Sequence, residues 1–444
     1  MKKTLLSDIL AGLTVSFAAL SLGAAFGVMS GRGAMSGMIG AAVIPIVASL
    51  FGGTRVQASG PTAPMTAITA VVVAFAHETF AESSTNAEQL ITLTILMSAV
   101  FIILAGIFRL GKFIKMVPQV IVLGFMNGIA VLIWVDQIKK LFGLGGKEPI
   151  HGDMTTNVLI AFSSLALIYL IPFTLKKMGV SGNIRRFLPS ILITIIAYTM
   201  FTSMTDIDIG RVELGGDFKS FGDFTKLISD YFPTSPDLYS TETLLAILPF
   251  ALQLCLLAYL DSLLTSLVVD KMSKETTNPN KELIAQGLAN GVSGFLQGIP
   301  GAQATIRSVL LLNEGAKTRL AGVLVGVFAL LGFVVFSNLI TLIASAVFVG
   351  ILLKAGLDVL DRDFAAAYMK NKWYGNKMRN FQAGFIVYTT VITVVIDLNV
   401  AVISGTILFY IAKRFFGMVD AEEEFEEVHG NELLGMHTEP REEE

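Results

Sequence analysis

The chain is built from apolar runs that are long enough to cross a lipid bilayer and are separated by shorter polar connections. A helix needs roughly 17–25 mostly apolar residues to span the hydrocarbon core. At that depth the backbone polar groups must be bonded within the protein, which favours helices. Composition agrees, because only 15% of the residues are charged, against about 25% in soluble domains. The sequence therefore predicts an all-α polytopic membrane protein.

Seven apolar runs fall in each half of the chain, and the third run of each half is short. The first half contains Ile9–Met29, Ala34–Phe51, Pro64–Ala76, Leu90–Phe108, Val117–Ile138, Val158–Leu175 and Phe187–Phe201. The second half contains Leu244–Val269, Leu283–Leu296, Ala304–Leu312, Ala321–Phe336, Leu339–Leu357, Gly384–Ile396 and Ala401–Phe416. An odd number of spans makes the second half enter from the opposite side, so we expect about 14 segments in a 7+7 inverted repeat. The repeats would cover about residues 8–204 and 241–416.

Two segments rich in proline and glycine interrupt the apolar pattern, one in each half. The first is Ser59–Thr66 (SGPTAPMT) and the second is Gly298–Arg307 (GIPGAQATIR). Backbone that leaves the helix at membrane depth survives only where it is buried in protein or lines a cavity. A matched pair of such breaks indicates the binding site of a transporter. We predict that each break is a short extended segment that opens into a half-helix.

The N-terminus of each half-helix would suit an anion. Unpaired backbone N–H groups and the positive end of the helix dipole bind negative charge without a charged side chain. Two such ends facing each other would hold a small anion reversibly between them. The candidate anion-binding residues are Thr62, Thr66, Ala304, Thr305, Ile306 and Arg307.

Two charged residues within the predicted spans require an explanation, because an unpaired charge in lipid is costly. Arg307 either adds its field to the anion site or acts as a structural brace. Asp261 shares a helical face with Thr265, four residues on. Together with free carbonyls around residues 303–305, they would form an oxygen cage for a hard cation. The alternative is an ion pair between Asp261 and Arg307 that leaves no cation site.

The charges of the connecting loops predict the orientation of the chain. Most loop lysines and arginines fall on one side, which the positive-inside rule assigns to the cytoplasm, together with both termini. We expect a multi-pass protein of the cell inner (plasma) membrane. Arg32 and the basic cluster at 139–147 are the main exceptions. A net charge of −3 without a basic stripe argues against a nucleic-acid partner.

The remaining segments add two expectations and exclude an enzyme. Residues 205–240 form the only sizeable insertion, which we expect to be an ordered extracellular cap. Residues 417–444 are acidic and typical of a disordered cytoplasmic tail, so the transporter domain would cover residues 1–416. A single cysteine, Cys255, excludes disulfide scaffolding. Nucleophile elbows, Walker loops and dinucleotide fingerprints are absent from the sequence.

Several motifs resemble the SulP anion transporter family, also called the sulfate permease family. The matching segments are Phe51–Arg55, Ser59–Thr66, Asp261–Ser266, Pro279–Asn290, Gly298–Gly301 and Gly315–Gly322. The resemblance covers about residues 8–416. The DSLLT run and the PGAxAT break are most similar to the BicA-type branch of sodium-dependent bicarbonate transporters.

This resemblance implies a uracil-permease-like inverted repeat with a core domain that moves against a gate domain. It also implies a sodium site formed by Asp261, Thr265, Gln303, Ala304 and Thr305. Bicarbonate would bind nearby, between the half-helix ends, with Thr66 as a contact. Na⁺ would be the coupling ion, with no organic cofactor.

The sequence departs from the family pattern in three places. Gln303 stands where BicA-type members carry glycine, so its amide could reshape the site. Gly33–Met38 replaces a tyrosine-bearing stretch. Most family members continue into a cytoplasmic STAS domain, whereas here an acidic tail follows, so this is either a member without that domain or a truncated sequence. A homodimer is a candidate assembly.

We therefore expect a secondary active transporter that couples Na⁺ to the uptake of a small inorganic anion, with bicarbonate favoured. Proton-coupled uptake of sulfate or dicarboxylate, with Asp261 as the titrating group, is the nearest alternative. An uncoupled anion exchanger or channel is the third. The residues alone do not choose among bicarbonate, sulfate and chloride.

Overall fold

A computed structural model describes residues 2–145, 149–179, 190–205, 207–212, 221–340, 342–370, 372–396 and 398–416. The predicted tail at 417–444 lies outside these residues, as do parts of the 205–240 insertion. Most of the described chain is helical.

The helices and strands follow one another in a simple order. In the first half they are α1 (Lys2–Met29), α2 (Gly33–Phe51), β1 (Ser59–Gly60), α3 (Ala63–Thr79), α4 (Ser84–Ile107), α5 (Gln119–Phe142), α6 (Met154–Lys177) and α7 (Ser190–Met204). The insertion contributes α8 (Phe221–Tyr231). In the second half they are α9 (Thr241–Ser273), α10 (Pro279–Phe295), β2 (Ala302–Gln303), α11 (Thr305–Asn313), α12 (Arg319–Ile340), α13 (Ser345–Val359), α14 (Arg362–Lys370), α15 (Lys377–Val395) and α16 (Leu398–Phe416). Short 3₁₀ turns lie at Leu110–Met116, Pro236–Tyr239 and Trp373–Gly375.

Each apolar run predicted from the sequence corresponds to a helix. Six of the described helices are long and apolar enough to cross a membrane, and four shorter apolar helices accompany them. The predicted start of the thirteenth span agrees less well, since α15 begins at Lys377, about two turns before Gly384. The prediction also placed a boundary near 336–339, whereas α12 continues to Ile340. The number of fourteen spans remains a prediction.

Chain contacts divide the protein into two compact units. The first contains residues 1–112, 133–270 and 275–355, and the second contains residues 113–132, 271–274 and 356–444. Within the first unit α2 packs on α1, α10 and α12, while α4 packs on α10. Within the second unit α15 packs on α16. The predicted core and gate domains remain a prediction.

Small residues let α1 and α2 pack closely. A Cβ atom added to Gly37 of α2 would overlap the carbonyl oxygen of Gly23 in α1. A Cβ added to Gly27 would likewise overlap the carbonyl oxygen of Gly33. Helix packing in membranes relies on such close backbone approach, because lipid supplies little hydrophobic drive between helices. Helix α2 also packs on β1 of the first broken segment.

The structure explains why Arg32 departs from the loop-charge pattern. Its guanidinium is buried, with a side-chain exposure of 2%, and lies 2.9 Å from the Glu88 carboxylate. It also donates to the side-chain oxygen of Gln297 at 2.7 Å. Arg32 therefore joins α2, α4 and the end of α10 as a structural ion pair. A buried, paired arginine of this kind does not act as a free loop charge.

The described part of the insertion is tied to α4. Gln89 donates to the carbonyl oxygen of Asp230 at 2.7 Å, and its side-chain oxygen accepts the N–H groups of Thr234 and Ser235. Arg211 donates to the carbonyl oxygen of Leu342 at 2.6 Å. This part of the insertion is hydrogen-bonded to α4 and to Leu342. Its role as a cap and its extracellular location remain predictions.

Candidate functional site

The two broken segments meet as a two-residue antiparallel ladder. Ser59 pairs with Gln303 and Gly60 pairs with Ala302. The N–H of Ala304 extends the contact by donating to the carbonyl oxygen of Ala58 at 3.2 Å. Segments separated by more than two hundred residues thus satisfy each other's backbone groups, which is the requirement for non-helical chain at membrane depth. The predicted extended segments are present, and they lie side by side.

Glycine is needed on both sides of this ladder. Gly60 has φ of +144°, a backbone conformation that is essentially restricted to glycine. A Cβ atom on Gly301 would overlap the carbonyl group of Gly60. Asn290 of α10 holds this crossing in place, accepting the N–H of Gly301 at 2.7 Å and donating to its carbonyl oxygen at 2.9 Å. The small residues therefore permit the close crossing and Asn290 fixes it.

Helices α3 and α11 start directly after the two strands, and both of these described starts are uncapped. The N-cap residues are Thr62 for α3 and Ala304 for α11, and neither forms a side-chain capping bond. The first N–H groups of a helix have no partner within the helix. Because neither Thr62 nor Ala304 forms a side-chain cap, both ends keep free donors, except at Pro64 of α3, which has no N–H. Such ends are suited to an anion.

One turn of α9 contributes oxygen atoms to both helix starts. The Thr62 hydroxyl donates to the Asp261 carboxylate at 2.9 Å. The Thr265 hydroxyl donates to the main-chain oxygen of Gln303 at 3.1 Å and lies 2.6 Å from the hydroxyl of Thr305. Asp261 thus contacts the start of α3, and Thr265, one turn further along α9, contacts the Gln303 carbonyl and Thr305 at the start of α11. This donor set fits a hard cation such as Na⁺.

The side chain of Gln303 points away from that donor set. Its Oε1 accepts a hydrogen bond from Ser266 at 2.9 Å and one from Thr54 at 3.4 Å. Its Nε2 is buried without a hydrogen-bond partner among the described residues. The main-chain oxygen of Gln303 therefore stays with Thr265, while the amide packs behind the strand. The amide, which could have reshaped the site, bonds instead to Ser266 and Thr54.

A chain of hydrogen-bonded hydroxyl groups runs from Gln303 to Asp270 near the end of α9. The Thr54 hydroxyl lies 3.0 Å from that of Ser266 and 3.0 Å from that of Thr277. Thr277 in turn donates to the Asp270 carboxylate at 2.7 Å. These bonds join β2, the segment after α2 and the segment before α10. They brace the strand that carries the Gln303 carbonyl.

Arg307 acts as a brace on the first broken segment. Its Nη2 donates to the carbonyl oxygen of Pro61 at 2.8 Å, and Nη1 is buried with no hydrogen-bond partner among the described residues. Both Arg307 and Asp261 are described, and they form no ion pair. The alternative in which these two charges neutralise each other is therefore wrong. The unpaired Nη1 leaves a cationic donor beside Gly60.

The other candidate anion contacts differ in what they can offer. Thr66 is fully buried, and both its N–H and its hydroxyl donate to the carbonyl oxygen of Thr62, at 2.9 and 2.7 Å. The N–H of Ala304 is used by Ala58. The geometry therefore does not support Thr66 as a donor to an anion, since its hydrogens are engaged. Thr305 and Ile306 are exposed at the start of α11, where their N–H groups are available.

Sequence reasoning missed a buried polar network behind β1. Glu282 accepts the N–H of Thr54 at 2.9 Å and an N–H of Gln286 at 2.8 Å. Gln286 also donates to the hydroxyl of Ser59 at 2.7 Å and to Gln57 at 3.2 Å. Together with Asn290, Glu282 and Gln286 recur every four residues along one face of α10. That spacing of polar residues was the available signal.

Comparison with known proteins agrees with this arrangement. The model of the sulfate permease family matches residues 5–381. The chain is 33% identical to the bicarbonate transporter BicA of Picosynechococcus sp. over 419 residues. The aligned region covers 90% of this chain and 69% of that protein. The chain is also 27% identical to the putative sulfate transporter YvdB of Bacillus subtilis, over 91% of this chain and 72% of that protein.

Solved structures carry the same fold. The transmembrane domain of a cyanobacterial bicarbonate transporter BicA matches with a TM-score of 0.75 and 26% identity, over 90% of this chain and 98% of that chain. The structure of SLC26A9 matches with a TM-score of 0.72 over 92% of this chain and 65% of that chain. At 16% identity this second likeness concerns the fold alone.

These matches confirm the expected family and the all-α membrane fold. The relatives and structural neighbours are transporters rather than enzymes, as the sequence predicted. The chain is therefore a multi-pass membrane anion transporter that belongs to the sulfate permease family.

Proposed function

We propose that this chain is a secondary active transporter that carries bicarbonate into the cell together with Na⁺, by alternating access. The observation that carries the proposal is the grouping of two uncapped helix starts with a carboxylate and two threonine hydroxyls. Bicarbonate is favoured because the 33% identical relative is named a bicarbonate transporter. Sodium is favoured because the atoms available to bind a cation are all oxygens and include the Asp261 carboxylate.

Each ion would lower the cost of binding the other. Asp261 carries a negative charge next to the start of α3, where an anion would be repelled. When Na⁺ binds Asp261, Thr265, Thr305 and the Gln303 carbonyl, that charge is balanced. The N–H groups at the two helix starts then face an anion in a neutralised site. Such coupling is reciprocal, so bicarbonate must strengthen sodium binding by the same factor.

Weak binding of the anion fits transport. The donors at the helix starts are main-chain amides, and the Arg307 guanidinium is partly occupied by the Pro61 carbonyl. A fully available arginine would form a bidentate bond with an anion and slow its release. Dipole-based binding at two helix ends is reversible, and both ends can separate when the site opens.

Uptake of labelled bicarbonate into proteoliposomes tests the proposal. We expect uptake with an inward sodium gradient and little with a choline gradient. Asp261→Asn should abolish the sodium-dependent component, whereas Glu78→Gln, a matched change of an exposed carboxylate at the end of α3, should leave it intact. Full uptake without sodium would reject the coupling.

Proton-coupled sulfate transport is the second candidate. It is favoured by the 27% identical relative, named a putative sulfate transporter. Asp261 would then take up a proton instead of Na⁺. Sulfate uptake that follows a pH gradient and ignores sodium would support this candidate. Currents far above carrier turnover would instead indicate an uncoupled channel.

A further inference from the structure

An apolar groove lies between α15 and α16, within the second unit. Its volume is about 860 Å³. The main lining residues are Phe381, Phe385, Tyr388, Leu408, Ile411 and Phe415. Phe415 is 77% exposed and Ile411 is 48% exposed. The groove therefore presents a continuous apolar surface that the described residues do not cover.

Gly384 opens the floor of the groove. A Cβ atom added there would meet no atom within 4 Å among the described residues. The backbone of α15 is consequently accessible between Phe381 and Phe385. A long, flexible apolar chain could lie in this channel without displacing a side chain.

Two cationic residues lie close in sequence to the lining residues at one end of the groove, Lys377 near Asn380 and Arg414 next to Phe415. Helices α15 and α16 are joined by a short connection after Val395, so they are antiparallel neighbours. The start of α15 and the end of α16 are therefore adjacent, which brings together Lys377 and Arg414, both exposed. The sequence from 370 to 416 contains a single acidic residue, Asp397.

We propose that this groove binds an anionic phospholipid such as phosphatidylglycerol. An acyl chain would lie along the aromatic and aliphatic walls, and the phosphate would contact Lys377 and Arg414. The combination of an apolar channel and a cationic end matches an amphiphile with a negative head group.

Charge argues against a second copy of this chain as the occupant. A two-fold dimer presents the same surface from both subunits. If two copies met through the groove, Lys377 and Arg414 of one copy would face the same cations or the apolar wall of the other. Neither arrangement would neutralise these charges. A lipid head group neutralises the same charges instead.

Native mass spectrometry of the purified full-length chain tests the proposal, with dioleoyl phosphatidylglycerol and dioleoyl phosphatidylcholine added in equal amounts. We expect retained phosphatidylglycerol. Lys377→Gln/Arg414→Gln should weaken this preference by roughly 25-fold, since each cation near an anionic lipid contributes about fivefold. Lys176→Gln/Lys177→Gln, at the exposed end of α6, is the matched control and should change nothing.

A second variant tests the groove itself. Gly384→Leu should fill the channel and reduce retention of both lipids, while Gly375→Leu, also in open space, should not. Unchanged phosphatidylglycerol retention in Lys377→Gln/Arg414→Gln or in Gly384→Leu would overturn the proposal. A shift from dimer to monomer in Gly384→Leu with unchanged lipid retention would assign the groove to a second copy. A gain in lipid retention after Glu422–Glu424 are changed to glutamine would indicate that these glutamates, and not a lipid head group, are the partners of Lys377 and Arg414.

Discussion

Thr62 is the N-cap residue of α3, yet its hydroxyl donates to Asp261 at 2.9 Å and does not cap the helix. Threonine at this position normally accepts an N–H from the first turn. Here the hydroxyl is turned to α9, so the first amides of α3 stay open beside the carboxylate. A single side chain thus joins the proposed cation site to the proposed anion site.

Thr62→Val should weaken the coupling between the two ions. Valine keeps the shape of the side chain but breaks the link to Asp261. We expect the factor by which Na⁺ tightens bicarbonate binding, typically 5–150-fold in coupled sites, to fall towards one. Isothermal titration of bicarbonate with and without Na⁺ measures this factor. Thr62→Ser retains the hydroxyl and serves as the control, and full coupling in Thr62→Val would contradict the assigned role.

Thr265→Val and Thr305→Val should each raise the sodium KM by about tenfold, the effect of losing one polar contact of about 1.4 kcal/mol. The bicarbonate KM at saturating sodium should change little. The two hydroxyls lie 2.6 Å apart, so the double variant should be non-additive. Sodium titration of uptake in proteoliposomes measures the effect. Equal increases in both KM values would instead indicate a general distortion of the site.

Gln303→Ala should lower stability by about 1 kcal/mol, because it removes the Oε1 acceptor of Ser266, whose hydroxyl keeps the Ser262 carbonyl oxygen as an acceptor at 2.8 Å. The main-chain oxygen of residue 303 is retained, so sodium-dependent uptake should persist. Gln303→Ala/Ser266→Ala removes both partners and should recover part of the loss. Thermal unfolding in detergent measures the stability. Loss of all transport in a folded Gln303→Ala protein would show that the Gln303 side chain takes part in transport directly and does not only support β2.

Arg32→Met should destabilise the protein by about 1–3 kcal/mol, less than the loss of a fully buried pair, because Glu88 is 16% exposed and keeps His77 at 3.7 Å. Glu88 would lose the guanidinium that lies 2.9 Å away. Arg32→Met/Glu88→Met removes both charges, and we expect it to be closer to wild type than Arg32→Met. Thermal unfolding of the single and double variants forms the test. A double variant that is as unstable as the sum of the singles would show that the pair is not coupled.

Much of the arrangement follows from local sequence patterns. Pro61, Pro64 and Gly60 predicted a break and a following half-helix, and the structure has β1 and α3 there. The four-residue spacing of Asp261 and Thr265 predicted a shared helical face, and both contact the broken segments. These features depend on residues that are near neighbours in the chain, so propensity and periodicity suffice.

Other features could not be predicted because they depend on distant partners. Arg307 was compatible with an anion contact, an ion pair or a brace, and its bond to Pro61 joins positions 246 residues apart. Thr66 was a reasonable anion contact until its hydroxyl was found to be used by Thr62. The hydrogen-bond partner of a side chain depends on how distant segments pack, and this cannot be predicted from the residue type alone.

The sequence by itself determined that this chain is a membrane protein with two broken helices and a carboxylate in a spanning segment, because hydrophobicity, proline and glycine act over a few residues. The tertiary structure alone decided which donors remain free. A donor is free when no other segment supplies it with a hydrogen-bond acceptor. The segments that meet at Ser59–Gly60 and Ala302–Gln303 are far apart in sequence, and the packing of α1, α2, α4, α10 and α12 brings them together.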